Sequence, residues 1–136
     1  MSDVPEVVRT FLSAWTEKDS SLAVGVITDD VAIKDPNASI VGPGPLVEHL
    51  DAIFRRFDFA VTYGTCVREG DSIAFTCRID MTGRSSRLAG VQTGFSPAVF
   101  VQLRDGKIAS WTEYWDPAPL TRDLSAATAA ASAPPA

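Results

Sequence analysis

Residues 73–81 read IAFTCRIDM, an unbroken alternation of apolar and polar side chains. A two-residue period of this length is that of a strand with one face in a core and one face outside it. Ile73, Phe75, Cys77, Ile79 and Met81 form the core face, and Ala74, Thr76, Arg78, Asp80 and Thr82 the other. Upstream, residues 59–67 have strand composition, and Arg68-Glu69-Gly70-Asp71 joins the two runs as a hairpin. Downstream, residues 98–103 and 108–115 are joined by Arg104-Asp105-Gly106-Lys107, and Asp-Gly is a strong two-residue turn. The Gly-, Ser- and Arg-rich segment 82–97 contains Leu88, Ala89 and Val91 and fits either a further strand or a flap.

The first part of the chain has a different period. Asp3 and Glu6 make a capping-box pattern around Pro5, and Val4, Val7, Val8, Phe11, Leu12 and Trp15 then share one helical face up to about Lys18. Asp19 caps a second short helix with Leu22, Ala23, Val26 and Ile27 inward. Residues 31–36 are a short strand, and Pro45 opens a third helix in which Leu46, Leu50, Ile53, Phe54 and Phe57 recur at helical spacing. Helices followed by a meander of strands imply an α+β domain with helices packed on one face of an antiparallel sheet, curved into a cone around a pocket. The domain is expected over residues 1–120, with the Ala-, Ser- and Pro-rich segment 121–136 as an unpacked tail.

With 136 residues, one core is expected. A hydrophobic content of 46% against 21% charged residues suits a packed globular interior. The net charge of −5, with 12 Lys and Arg spread along the chain, gives no basic footprint for nucleic acid or an anionic membrane. No run approaches the roughly 18 apolar residues of a membrane span, and the first 17 residues carry Asp3 and Glu6 rather than a basic and then an apolar region. A cytoplasmic location is expected. A 68–71 hairpin sets Cys66 opposite Ala74 and Cys77 opposite Tyr63, so the two thiols do not face each other and are expected buried and free.

Three carboxylates stand out. Glu113 shares a strand face with Ala109, Trp111 and Trp115, opposite in direction to Ile108, Ser110, Thr112 and Tyr114. A carboxylate among indoles loses hydration, which raises its pKa unless a cation pairs with it. The alternative is a solvent face or a subunit contact. Arg78 and Asp80 point the same way, either as an exposed ion pair or as an acid held by its arginine. Asp35 ends the apolar face of Val31 and Ile33 just before Pro36, at a pocket rim or capping a turn. His49 lies beside the apolar stripe of the third helix, the position of a packing or pocket-lining residue. No Gly-rich phosphate loop, pair of histidines or nucleophile-elbow serine occurs. No cofactor and no metal are expected.

Residues 11–19 (FLSAWTEKD), 29–36 (DDVAIKDP), the Gly42 segment, Asp105-Gly106-Lys107-Ile108 and residues 111–116 (WTEYWD) together resemble the nuclear transport factor two-like (SnoaL-like) superfamily of cone-shaped α+β domains. It includes limonene epoxide hydrolase, ketosteroid isomerase and small polyketide cyclases. The likeness to limonene epoxide hydrolase implies Asp80 as acid, Glu113 as base and Arg78 as the bridge between them, with Glu113 where that family has Asp, and Ile33 and Asp35 in place of its water-positioning Tyr and Asn. The likeness to ketosteroid isomerase implies Asp35 as general base, with Phe11 and Ala98 or Val99 at the places of its oxyanion donors. The resemblance implies cofactor-independent acid–base chemistry on a hydrophobic small molecule. Epoxide opening comes first, cyclisation or isomerisation second and ligand binding without catalysis third. Trp15, Phe54, Phe59, Trp111, Trp115 and His49 would line the pocket, and a homodimer is expected because the outer faces of such sheets often pair.

Overall fold

The computed structural model describes residues 3–132. Among these residues four helices, α1 (Glu6–Glu17), α2 (Ser20–Val24), α3 (Pro43–Arg56) and α4 (Ala118–Ser132), accompany seven strands. These are β1 (Ile27–Lys34), β2 (Ser39–Val41), β3 (Phe57–Glu69), β4 (Ser72–Gly83), β5 (Gln92–Phe95), β6 (Ala98–Arg104) and β7 (Lys107–Tyr114). They form one curled, unclosed sheet in the order β2-β1-β7-β6-β4-β3, with β5 also on β4.

Each sequential hairpin is antiparallel, but β1 runs parallel to β7. The expectation of a wholly antiparallel sheet is corrected there. No hairpin links β1 to β7, so turn geometry does not set their relative direction.

Curvature arises on β4, whose first half pairs with β6 (Ser72 to Thr76) and whose second half pairs with β5 (Ile79 to Thr82). The 82–97 segment is therefore a short strand reached through a tight loop. In that loop Gly83 donates its N–H to the Val91 carbonyl at 2.8 Å. A Cβ on Gly83 would lie 1.8 Å from the Leu88 carbonyl oxygen, which is backbone and cannot swing aside. Gly83→Ala is expected to cost about 1–3 kcal/mol, read as a lower urea midpoint at unchanged m value.

Asp105 and Gly106 both have positive φ, 53° and 77°, as a primed two-residue turn requires, and Arg104 pairs with Lys107 across it. Two irregularities move residues between faces. Between Tyr63 and Cys66 the β3–β4 register shifts, so Cys77 stands opposite Tyr63 as expected while Cys66 faces Phe75 rather than Ala74. A second shift, at Ala109, brings Ile108 and Trp111 to the same buried face and places Ala109 off it. That exchanges the faces expected for Ile108 and Ala109. Both cysteines are buried and free.

The core lies between α1, α3 and the concave side of the sheet. Val8, Phe11 and Leu12 of α1, with Leu46, Leu50 and Phe54 of α3, cluster with Ile73, Phe75, Val101, Ile108 and Trp111. Phe11 packs on Trp111 at 4.5 Å between ring centroids and on Trp15 at 5.0 Å. Pro5 rather than Asp3 is the N-cap of α1, without a side-chain cap, and Pro43 rather than Pro45 opens α3. Asp19 caps α2 as expected, accepting from the Ser21 N–H at 3.0 Å.

The unpacked tail expected over 121–136 is corrected over its described part. Ala-rich sequence has high helix propensity, and Leu120, Leu124 and Ala127 fall on one stripe that packs against the core as α4. Asp116 starts the helix by accepting from the Ala118 N–H, and Thr93 of β5 donates its hydroxyl to Asp123 at 2.7 Å. Residues 133–136 lie outside the described residues.

Candidate active site on the concave face

Glu113 stands opposite Val99 of β6, and both face the core side with Trp111. Its Oε2 accepts the Trp111 indole N–H at 2.8 Å and its Oε1 the Trp115 indole N–H at 3.1 Å. The residue keeps some surface open, but its carboxylate is largely desolvated. Burial, reinforced by the charge of Asp35, pushes its pKa from 4.5 to about 7, against the pull of the two indole donors. No cation contributes.

Asp35 reaches Glu113 through the parallel pairing. Ile33 is level with Trp111 and Lys34 with Thr112, so the next step brings Asp35 beside Glu113. Its Oδ1 accepts the backbone N–H groups of Asn37 (2.7 Å) and Ala38 (2.8 Å). Asp35 therefore both caps the turn before β2 and faces the site, and its second carboxylate oxygen is not needed by the turn.

Cys77, on the core face of β4, is the third titratable neighbour. Burial and the Glu113 charge push its thiol up to about 12, so it remains a neutral, weakly polar wall.

Further aromatic rings pack against one another in this part of the fold. Trp115 lies 4.4 Å from Phe95, Trp15 is 6.1 Å from Phe54, and Phe54 is 6.1 Å from Phe59, all between centroids. Trp15, Phe95 and Trp115 are half-buried, whereas Trp111 is buried at 1% exposure. His49 is half-buried on α3 beside Leu46 and Ile53.

Arg78 and Asp80 are not brought to Glu113. They lie on the outward face of β4 at 46% and 54% side-chain exposure, with the Arg78 Nε 3.1 Å from the Asp80 Oδ1. The reason is parity: Cys77, Ile79 and Met81 take the inward positions, which sends Arg78 and Asp80 to the other side of the sheet. The acid–arginine–base convergence expected of them is corrected. The outer face also carries an open groove of about 530 Å³ lined by Val67, Ala74, Phe100, Gln102 and Thr112, with the sheet between it and Glu113.

Two contributors lay beyond the sequence reading. Phe95 sits in the 82–97 segment, which by sequence fits either a strand or a flap, and its one sign is an aromatic among glycines and serines. Cys77 reads as core, and only the strand register brings it near Glu113.

A helix-backed, curled and unclosed α+β sheet in this strand order defines the nuclear transport factor two-like class of folds. The chain belongs to the SnoaL-like domain family, which it matches over residues 8–111. Solved structures agree on the fold. A ketosteroid isomerase-like protein from Catenulispora acidiphila in complex with trimethylamine has a TM-score of 0.78 at 17% identity, covering 90% of this chain and 95% of that one. A putative polyketide cyclase from Pseudomonas putida gives 0.75 at 15% identity, over 87% and 95%. An M. tuberculosis epoxide hydrolase of the limonene epoxide hydrolase-like type gives 0.74 at 18%, over 91% and 90%. No curated protein matches the chain.

Proposed function

We propose that the protein is a cofactor-independent acid–base enzyme acting on a hydrophobic small molecule, with Glu113 moving a proton to or from a carbon next to a carbonyl. The observation that carries this reading is the Glu113 carboxylate, held by two indole N–H donors and beside Asp35, with a pKa of about 7. A group balanced near neutrality serves as base and then as acid within one turnover. The ionised form removes the proton while the indoles hold its oxygens in place. The protonated form returns it, because an indole N–H donates only and offers that proton no acceptor. Isomerisation and intramolecular cyclisation both follow from such a step. Trp15, Phe95 and Trp115 would position the substrate, and Asp35 would hold the pKa of Glu113 up.

Epoxide opening of the limonene type requires an acid bridged by arginine to the base, and the outward placement of Arg78 and Asp80 deprives it of both. The test is deuterium uptake next to the carbonyl of a panel of aryl ketones and polyketide-like diketones in D₂O, followed by NMR. An epoxide panel in oxygen-18 water is run beside it. Uptake lost in Glu113→Gln supports proton transfer; labelled diol lost in Asp80→Asn would restore the epoxide reading. Arg78→Ala and Asp80→Asn are expected to leave deuterium uptake within about twofold of the parent, because an exposed pair contributes little beyond its own surface.

A further inference from the structure

The helices are not anchored equally. α1 and α3 bury side chains completely, with Val8, Phe11 and Leu50 at 0% exposure. In α4 the innermost residues, Leu120, Leu124 and Ala127, are only half-buried, and the rest of residues 118–130 are exposed. Strand pairing fixes the side on which α4 lies. Thr93 of β5 stands opposite Met81 and Phe95 opposite Ile79, and Ile79 and Met81 point into the core, so Thr93 and Phe95 share the concave side. The Thr93 hydroxyl donates to Asp123, which puts α4 on that same side of β5. Phe95 packs on Trp115, and Trp115 donates to Glu113. Residues 115–117, which join β7 to α4, belong to neither element and end in Pro117. With the sheet behind Glu113, a ligand reaches that carboxylate from the concave side, past α1, α3 or the α4–β5 edge.

We propose that α4 is a lid on the concave site. It pivots about residues 115–117, lifts its Leu120–Leu124–Ala127 stripe off β5 to admit substrate, and closes with the Thr93–Asp123 hydrogen bond as its latch. This rests on the Glu113 site of the proposed function and names what controls access to it. Local opening follows the weakest attachment. Lifting α1 or α3 would draw Phe11 or Leu50 out of the core, whereas α4 gives up three half-buried side chains and one solvent-exposed hydrogen bond. Asp116 accepts the Ala118 N–H and the sequence that follows is rich in alanine, so α4 moves as a helix instead of unravelling. Trp115 sits at the pivot and carries the motion to the carboxylate, because closure is what keeps its ring on Phe95 and its N–H on Glu113 Oε1.

The test ties lid to strand in the full chain as Thr93→Cys/Asp123→Cys, with the disulfide formed by diamide, broken by dithiothreitol, and the parent treated alike. Access is read without a substrate, using an aryl diazoacetamide that esterifies protonated carboxyl groups with loss of nitrogen. Peptide mass spectrometry at pH 6 counts the ester on Glu113. The bridged form should be labelled there at least roughly tenfold more slowly than the reduced form, while exposed Asp51 is labelled equally in both. Leu124→Asp, which unseats the stripe, should speed labelling of Glu113 by a similar factor with the near-ultraviolet circular dichroism of the core unchanged, and it decides alone if the cysteines do not join. Equal labelling of bridged and reduced forms, or of Leu124→Asp and the parent, overturns the lid. Deuterium uptake by ketones is followed on the same samples. Gated labelling without uptake in any form would remove the catalytic reading and keep the lid; uptake and labelling both indifferent to the bridge would do the reverse.

Discussion

Replacing Glu113 by glutamine is expected to cut turnover by at least about a hundredfold and, at pH 8, to raise the melting temperature. The folded protein holds this carboxylate at a pKa of about 7 against an ordinary 4.5, so the native state binds its proton more tightly than the unfolded chain. Stability is then full below about pH 4.5 and declines as pH rises through 7, the ionised form costing about 3 kcal/mol in all. Glutamine removes that cost but turns its NH₂ toward one of the two indole donors, which takes back part of the gain. The net at pH 8 is a stabilisation of about 1–2 kcal/mol, a rise of roughly 3–8 °C, fading toward pH 4. Proton transfer should fall by about 10²–10⁴-fold, the usual worth of a positioned acid–base group. Calorimetry at the two pH values checks the first claim and deuterium uptake the second. An equal loss of stability at both pH values would mean that the carboxylate is a satisfied structural acceptor and not a strained reactive one.

The same contrast separates what was legible in the sequence from what was not. The alternation in residues 73–81 is complete, and its parity sends Arg78 and Asp80 away from the core that holds Cys77 and Ile79. An Arg-x-Asp motif read without that parity sets the two residues beside Glu113, on a face the strand does not give them. A motif carries residue types, whereas strand register decides which face they share. Asp-Gly at 105–106 was legible because the turn chemistry is local. The shift at Ala109 was not, since no Pro or Gly marks it, and it depends on how β7 meets β6. The nearness of Asp35 to Glu113 is also invisible along the chain. It depends on β1 joining β7 in parallel across most of the sequence, a contact that no turn encodes. The last helix is hidden because Ala, Ser and Pro read as low complexity, while its stripe of Leu120, Leu124 and Ala127 has somewhere to dock only once β5 exists.

Trp111→Ala is expected to be the most destabilising single substitution argued from this site, at about 3–5 kcal/mol. The indole is 1% exposed and touches Phe11 at 4.5 Å and Phe75 at 5.7 Å, so it joins α1 to the sheet across the middle of the core. Removing it opens a cavity that Phe11 cannot fill, because that ring also packs on Trp15. It also strips Glu113 Oε2 of its donor in a desolvated position. Trp111→Phe separates the two losses. It keeps a six-membered ring in the core and removes the N–H together with the five-membered ring, so its stability cost should be roughly half of the alanine value. The Glu113 pKa should move further above 7, since a donor that lowered it has gone. The pH profile of deuterium uptake therefore shifts alkaline in Trp111→Phe while the fold survives. The same direction is expected for Trp115→Phe, whose N–H holds the other oxygen at the longer 3.1 Å. If Trp111→Phe lowers stability as much as alanine and leaves the pH profile unmoved, the indole N–H is not what sets the protonation of Glu113, and the residue acts through packing alone.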